Sequence, residues 1–60
     1  MHIGREVEKF LQRTNMPPTK FGRLAVNDPR LVRDLRNGRE PRTPVVRRIV
    51  DFIQTADRTR

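Results

Sequence analysis

Arginine recurs at three-residue spacing at Arg30, Arg33, Arg36 and Arg39, with Asn37 among them. A guanidinium group binds phosphate oxygens and can also donate a bidentate pair of hydrogen bonds to O6 and N7 of guanine. Asparagine amides and main-chain N–H groups bind phosphate without reading sequence. On a helix that exposes them, these side chains would therefore suit recognition of a polyanion, and of the DNA major groove in particular.

Two short helices joined by a tight turn, over Pro18–Asn37, would position these residues. Asp28-Pro29 predicts the start of the second helix, because Asp is a strong N-cap and Pro is favoured at the first helical position. Asn37-Gly38 predicts its end. At about 100° per residue, Val32 and Leu35 fall on one side of this helix. The opposite side carries Arg30, Arg33, Asp34 and Asn37.

That polar side has two interpretations. Most surface helices carry a solvated polar face that has no binding role. If the face enters a major groove, Arg30 and Arg33 are the natural guanine readers, and Asp34 could accept a hydrogen bond from cytosine N4. Asp34 could equally form an intrahelical pair with Arg30, four residues away. Asn37 and the main chain of Arg39 would then contact phosphate.

The first helix of the pair is predicted to run from Thr19, as its N-cap, to about Ala25. Its apolar face comprises Phe21, Leu24 and Ala25. Gly22 within it would let another backbone approach closely. Thr19 and Lys20 could clamp a DNA backbone through their side chains and free N–H groups. The simpler alternative for this pair is an ordinary cap beside an exposed lysine.

Two longer helices are predicted to flank this pair. The first runs from about Gly4 to Thr14, and its inward side carries Val7, Phe10 and Leu11. The last runs from about Pro44 to Ala56. Its apolar stripe comprises Val46, Ile49, Val50 and Ile53, widened by Val45, Phe52 and Ala56. The sequence thus predicts an all-α domain over residues 1–57 and a frayed basic tail over residues 58–60.

The last helix raises the question of a dimer. A chain of 60 residues without cysteine has a thin core and no disulfide to stabilise it, so oligomerisation is a natural source of stability. All of the apolar stripe could pack on the other three helices. Alternatively, Val45, Ile49 and Phe52 could partly serve a two-fold interface, and paired DNA-reading helices would then sit about 34 Å apart on a palindromic site.

Composition narrows the functional classes. The chain has 14 Lys and Arg against 7 Asp and Glu, giving +7, and 12 of the basic residues are arginine. Positive charge alone attracts membrane surfaces and RNA as well as DNA. With no cysteine and a single histidine, His2, neither a metal site nor a catalytic constellation is expected. No apolar run approaches the roughly 18 residues of a spanning helix and no signal-peptide pattern is present, so a cytoplasmic, nucleoid-associated protein without a cofactor is expected.

These features resemble the helix-turn-helix of the Cro/phage-repressor-like (XRE) regulators, over about Val7–Ile53. The family's pair of an apolar and a small residue in the first helix of the motif is matched by Phe21-Gly22, and the apolar residue before the turn by Ala25. The anchors inside the recognition helix are matched by Val32 and Leu35. Residues 35–39, LRNGR, are similar to the family's closing L-x-N-G-K/R.

The resemblance implies a compact lambda-repressor-like domain of four helices, or five as in many relatives. It implies a transcriptional regulator, a repressor, that binds a palindromic operator in double-stranded DNA as a homodimer. The implied base contacts are Pro29, Arg30, Arg33 and Asp34. The implied backbone contacts are Asn27, Asn37, Arg39 and Arg42.

One position departs from the family pattern. Relatives usually place glycine in a left-handed conformation at the turn, where this chain has Val26. A β-branched residue disfavours positive φ. Either Asn27 adopts that conformation instead, or the turn is more open than in the family.

Two other classes of function remain as alternatives. The first is RNA binding or non-specific coating of nucleic acid, although the chain has no Trp or Tyr and its three Phe residues fall on core-like faces, which leaves no stacking platform for bases. The second is a protein-interaction adaptor that uses the last helix as its contact surface.

Overall fold

The structure, a computed structural model, describes residues 2–58. It consists of four α-helices that pack into one globule, and the described residues contain no β-strand. The helices are α1 (Ile3–Thr14), α2 (Pro18–Val26), α3 (Leu31–Arg36) and α4 (Thr43–Arg58). The all-α fold predicted from apolar spacing is confirmed. None of the helices described is long and apolar enough to cross a membrane.

Every helix contributes to one small core. The inward side predicted for α1 is confirmed, because all three of its residues are buried. In α3 the residue that was not predicted, Leu31, is buried beside Val32, whereas Leu35 is only half-buried. The buried side chains are Val7, Phe10, Leu11, Phe21, Leu31, Val32 and Ile49.

Three phenyl rings join α1, α2 and α4. The ring centroid of Phe21 lies 5.5 Å from that of Phe10 and 5.3 Å from that of Phe52, and Phe10 and Phe52 are 6.0 Å apart. The contacts of Phe52 are edge-on, the arrangement that aromatic quadrupoles favour. All three rings therefore pack with one another.

The turn between α2 and α3 depends on Asn27. Asn27 has φ 58° and ψ 35°, in the left-handed region that asparagine tolerates better than most residues. Its N–H donates to the Arg23 carbonyl at 3.0 Å, and the Asp28 N–H donates to the Gly22 carbonyl at 3.0 Å. Val26 stays helical. Asn27, and not Val26, therefore adopts the left-handed conformation at this turn, which is the first of the two possibilities raised by the sequence.

Gly22 allows the turn to pass close to α2. A β-carbon at this position would overlap the carbonyl oxygen of Asp28 and would lie 3.2 Å from the β-carbon of Leu31. Any side chain would therefore push the start of α3 away from α2. The expectation of a close backbone approach at Gly22 is confirmed.

The helix starts differ from those predicted. The helix α3 begins at Leu31 rather than at Pro29, because residues 28–31 form a separate turn in which the Leu31 N–H donates to the Asp28 carbonyl at 3.2 Å. The Asp28 carboxylate still accepts a hydrogen bond from the Arg30 N–H, at 2.9 Å. Thr19 is not an N-cap, since α2 begins at Pro18 and the N-cap is Pro17, two residues earlier than predicted.

Helix α4 is longer than predicted at its C-terminal end. It includes Asp57 and Arg58, so Arg58 belongs to the helix and not to a frayed tail. Asp57 accepts hydrogen bonds from Nη2 of Arg13 at 2.9 and 3.1 Å, which joins the ends of α1 and α4. The remaining tail residues, 59–60, lie outside the described part of the chain.

For two apolar residues, the degree of burial or the packing partner differs from what the sequence suggested. Leu24 was predicted on the apolar face of α2, but it is 56% exposed. Ile49 was predicted in a dimer interface, but it is fully buried within its own chain, and Val45 and Phe52 pack against the same core. The fourth helix thus uses these three side chains to close the domain, and a second copy cannot contact Ile49 while the fold is intact.

Candidate nucleic-acid interface

Arg30 and Arg33 are both exposed at the surface. The Arg30 side chain is 78% exposed, and its nearest ionic partner is Asp28, with Nε and Oδ1 4.0 Å apart. The guanidinium group of Arg33 makes no hydrogen bond or ion pair with any described residue. Neither guanidinium group is covered by another segment, so both can bind a ligand without a rearrangement of the fold.

These two arginines lie in a groove between the start of α2 and α3, which we call the α2–α3 groove. Its volume is about 460 Å³. None of the residues described as lining it carries a carboxylate, so its positive potential is not neutralised from within. Its lining residues are Pro18, Thr19, Pro29, Arg30, Arg33, Arg36 and Asn37.

A second basic surface continues from this groove along α2, and Thr19 belongs to both. We call it the α2 face. Besides Pro17, it contains two residues that the sequence analysis did not assign to the site, Arg23 and Leu24. A helical wheel of α2 places both beside Lys20, and that spacing could have identified them. The α2 face is lined by Pro17, Thr19, Lys20, Arg23, Leu24 and Asn27.

Asp34 points away from the groove. Its carboxylate accepts a hydrogen bond from Nη1 of Arg39 at 2.7 Å, and the Arg39 N–H donates to the Asp34 carbonyl at 3.0 Å. This double contact forms because Gly38, at φ 90°, turns the chain back towards α3. The intrahelical pair with Arg30, one of the two alternatives raised for Asp34, does not form, and Asp34 does not share the exposed side of Arg33.

Arg36 connects α3 to α1 at the edge of the groove. Its Nε donates to Glu8 Oε2 at 2.7 Å, and its Nη2 donates to Oε1 at 3.0 Å. This bidentate hydrogen bond, with the accompanying charge attraction, lowers the pKa of Glu8 despite the opposing effect of partial burial. The same contact raises the pKa of Arg36. This ion pair therefore links α3 directly to α1.

The residues predicted to contact the DNA backbone divide into two sets. Thr19 and Asn37 line the α2–α3 groove, and Lys20 and Asn27 line the adjoining α2 face. The other two, Arg39 and Arg42, line a separate cavity next to α4. Pro29, predicted to contact bases, lies in the groove with Arg30 and Arg33.

Among residues 2–58, no group of three His, Cys, Asp or Glu side chains is placed to hold a metal ion. Comparison with protein-family models, with curated proteins and with solved structures gave no match for this chain. A function for this chain is therefore inferred from the geometry and charge of the α2–α3 groove and the α2 face.

Proposed function

We propose that this protein is a sequence-specific transcriptional regulator, a repressor, that binds double-stranded DNA by inserting α3 into the major groove. The observation that carries the proposal is the α2–α3 groove, in which Arg30 and Arg33 stand exposed beside Asn37 with no carboxylate among the described lining residues. An α-helix fits the width of the major groove, and arginine is the side chain that most often reads guanine there.

The arginines on and next to α3 differ in whether they have a carboxylate partner within the chain, and this difference supports separate roles for them. Arg36 and Arg39 are bonded to carboxylates of their own chain, whereas Arg33 has no such partner among the described residues. A guanidinium group that is free in the unbound protein can form a bidentate hydrogen bond with guanine without breaking an ion pair. Arg33 is accordingly the main candidate for base reading.

Contacts with phosphate follow from the α2 face. Lys20 and Arg23 are exposed there, next to Thr19 at the start of the helix and Asn27 at its end. Side chains of these types bind phosphate oxygens and set the orientation of a protein on the duplex. With α3 in the major groove, the α2 face would meet the adjacent sugar-phosphate backbone.

The packing of the three phenylalanine rings inside the domain favours duplex DNA over single-stranded nucleic acid as the ligand. Single-strand binding proteins stack bases on exposed aromatic rings. Here Phe10 and Phe21 are buried, and Phe52 packs edge-on against both of them. No phenylalanine is therefore available as a stacking platform.

The resemblance to the XRE regulators supports the same proposal. The left-handed Asn27 and the positive φ of Gly38 supply the changes of chain direction that end the two helices, and Gly22 lets the turn pass close to α2. On a palindromic operator, two copies bound as a homodimer would place their α3 helices about 34 Å apart. The contact between the copies would involve residues other than Ile49.

Selection of random duplex DNA by the purified chain, followed by sequencing, tests the proposal directly. We expect an enriched motif that contains guanine, with two half-sites one helical turn apart, and an affinity that falls steeply as salt is raised. Enrichment of no motif, at an affinity equal for all sequences, would assign the basic surface to non-specific binding. Preferential binding of structured RNA in a direct competition would assign it to RNA.

A further inference from the structure

The α2–α3 groove contains apolar rings beside its arginines. Pro18, at the start of α2, and Pro29, in the turn before α3, both line the groove with Arg30 and Arg33. The ring of Pro29 belongs to an exposed residue, and Pro18 is half-buried. The groove therefore offers apolar surface as well as positive charge, and it suits a ligand that presents both an apolar group and hydrogen-bond acceptors.

The turn that carries Pro29 is held in place by hydrogen bonds. The Arg30 N–H donates to the Asp28 carboxylate at 2.9 Å, and the Leu31 N–H donates to the Asp28 carbonyl at 3.2 Å. Leu31 is buried in the core, which attaches the end of the turn to the domain. A proline ring also loses no rotamer freedom when a ligand covers it. Pro29 is thus an exposed apolar residue whose position is fixed before binding.

The chemistry of Pro29 limits which base it can recognise. Proline has no N–H, so its ring contacts a base only through apolar surface. In the major groove, the apolar group that base pairs present is the 5-methyl group of thymine. Cytosine presents an amino group there, but the Asp34 carboxylate that could accept from it is bonded to Arg39 and lies outside the groove. At the position facing Pro29, thymine therefore fits better than cytosine.

We infer that Pro29 is a specificity-determining residue, whose ring packs on the 5-methyl group of a thymine close to the guanine bound by Arg33. The inference rests on the proposed function and adds a second base to the site. Both residues line one groove, and their separation of four positions corresponds to about one helical turn, roughly 5 Å. With base pairs about 3.4 Å apart, the thymine lies within about two base pairs of the guanine.

The test replaces that thymine by deoxyuridine, which lacks only the 5-methyl group, in the duplex recovered by selection. Fluorescence anisotropy should show about fourfold weaker binding, as expected for the loss of one buried methyl group. Deoxyuridine at a thymine outside the enriched motif should leave the affinity unchanged. Equal affinity for the thymine and uracil duplexes, or a motif with no thymine near the guanine, overturns the inference and leaves the proposed DNA binding intact. Recovery of no motif overturns both.

A pair of variants assigns the methyl contact to Pro29. Pro29→Gly removes the ring and should abolish the difference in affinity between the thymine and uracil duplexes. Because each comparison uses one protein with two duplexes, a change in overall affinity cancels. Pro44→Gly is the matched control, since Pro44 is exposed in the first turn of α4 and does not line the groove, and it should keep the full difference. A difference that persists in Pro29→Gly would assign the methyl contact to another residue and overturn the role of Pro29.

Discussion

Arg36 of α3 and Glu8 of α1 form a bidentate ion pair across 28 positions of sequence, with Nε–Oε2 2.7 Å and Nη2–Oε1 3.0 Å. This ion pair adds to the packing of the buried Leu31 and Val32 in holding α3, which has only six residues, on the domain. The pair also occupies one of the arginines that line the α2–α3 groove. Stability and the orientation of the proposed DNA-reading helix are thus linked through Glu8.

Replacing Glu8 by glutamine should lower the thermal unfolding midpoint at pH 7 by a few degrees. The pKa of Glu8 lies below its ordinary value of 4.5 in the folded protein, so its carboxylate stabilises the fold at any pH above that value. The stabilisation is lost as the pH falls through the lowered pKa. The midpoints of the variant and the parent should therefore converge in acid, as measured by circular dichroism.

Glu6→Gln provides the control for this experiment, since it removes the same charge from the same helix. Its carboxylate is 3.8 Å from the Lys9 ammonium group, and both side chains are well exposed. Exposed pairs of this kind contribute little. An equal loss of stability in the two variants would show that the contact between Glu8 and Arg36 is not important.

Gly22→Ala should destabilise the domain, because the new methyl group would overlap the Asp28 carbonyl oxygen. Overpacking of this kind costs about 1–3 kcal/mol, more than the gain of up to about 1 kcal/mol in helix propensity. Gly4→Ala is the matched control, since its nearest neighbour would be the Leu35 β-carbon at 4.0 Å. Chemical denaturation should show a lower free energy of unfolding for Gly22→Ala and no decrease for Gly4→Ala.

Ile49→Ala should destabilise the isolated chain by about 2–5 kcal/mol, as expected for truncation of a fully buried side chain. The loss should be the same at low and high protein concentration, because Ile49 packs within its own chain. Unfolding curves over a hundredfold range of concentration would measure this. A destabilisation that disappears at high concentration would instead indicate that Ile49 contacts a second copy.

Arg33→Ala should reduce affinity for the selected DNA site by about 1–3 kcal/mol and relax sequence preference at one base pair. Arg47→Ala removes the same charge from an exposed position on α4, outside the α2–α3 groove, and should leave that preference unchanged. Fluorescence anisotropy with the selected and a scrambled duplex compares the two. If Arg33→Ala weakens both duplexes equally, Arg33 binds phosphate and not a base.

Local signals predicted the helices well and their contacts less well. Asn27 and Gly38 mark helix ends because positive φ is a property of one residue and its immediate neighbours. Leu31 was missed because it lies at the edge of the wheel of a very short helix, where burial depends on how closely α2 approaches at Gly22. Leu24 was misassigned for the same reason, since no second helix covers that side of α2.

Charged pairs were the least predictable feature. The sequence suggested that Asp34 pairs with Arg30 within one helix turn, but its partner is Arg39, which Gly38 brings back towards α3. The contact of Arg36 with Glu8 links residues too distant in sequence for any periodicity to reveal. Such pairs depend on the relative placement of helices, and a helical wheel contains no information about that placement.

The sequence by itself determined that the chain is all-helical, where most of its turns fall and which arginines are candidates for binding, because caps, prolines and apolar periodicity act over a few neighbouring residues. Only the tertiary structure decided which of those arginines are free. Arg33 stands exposed in a groove lined without carboxylates, whereas Arg36 and Arg39 are bonded to Glu8 and Asp34. Long side chains choose partners by distance in space, and in a domain this small that distance is set by how the helices pack.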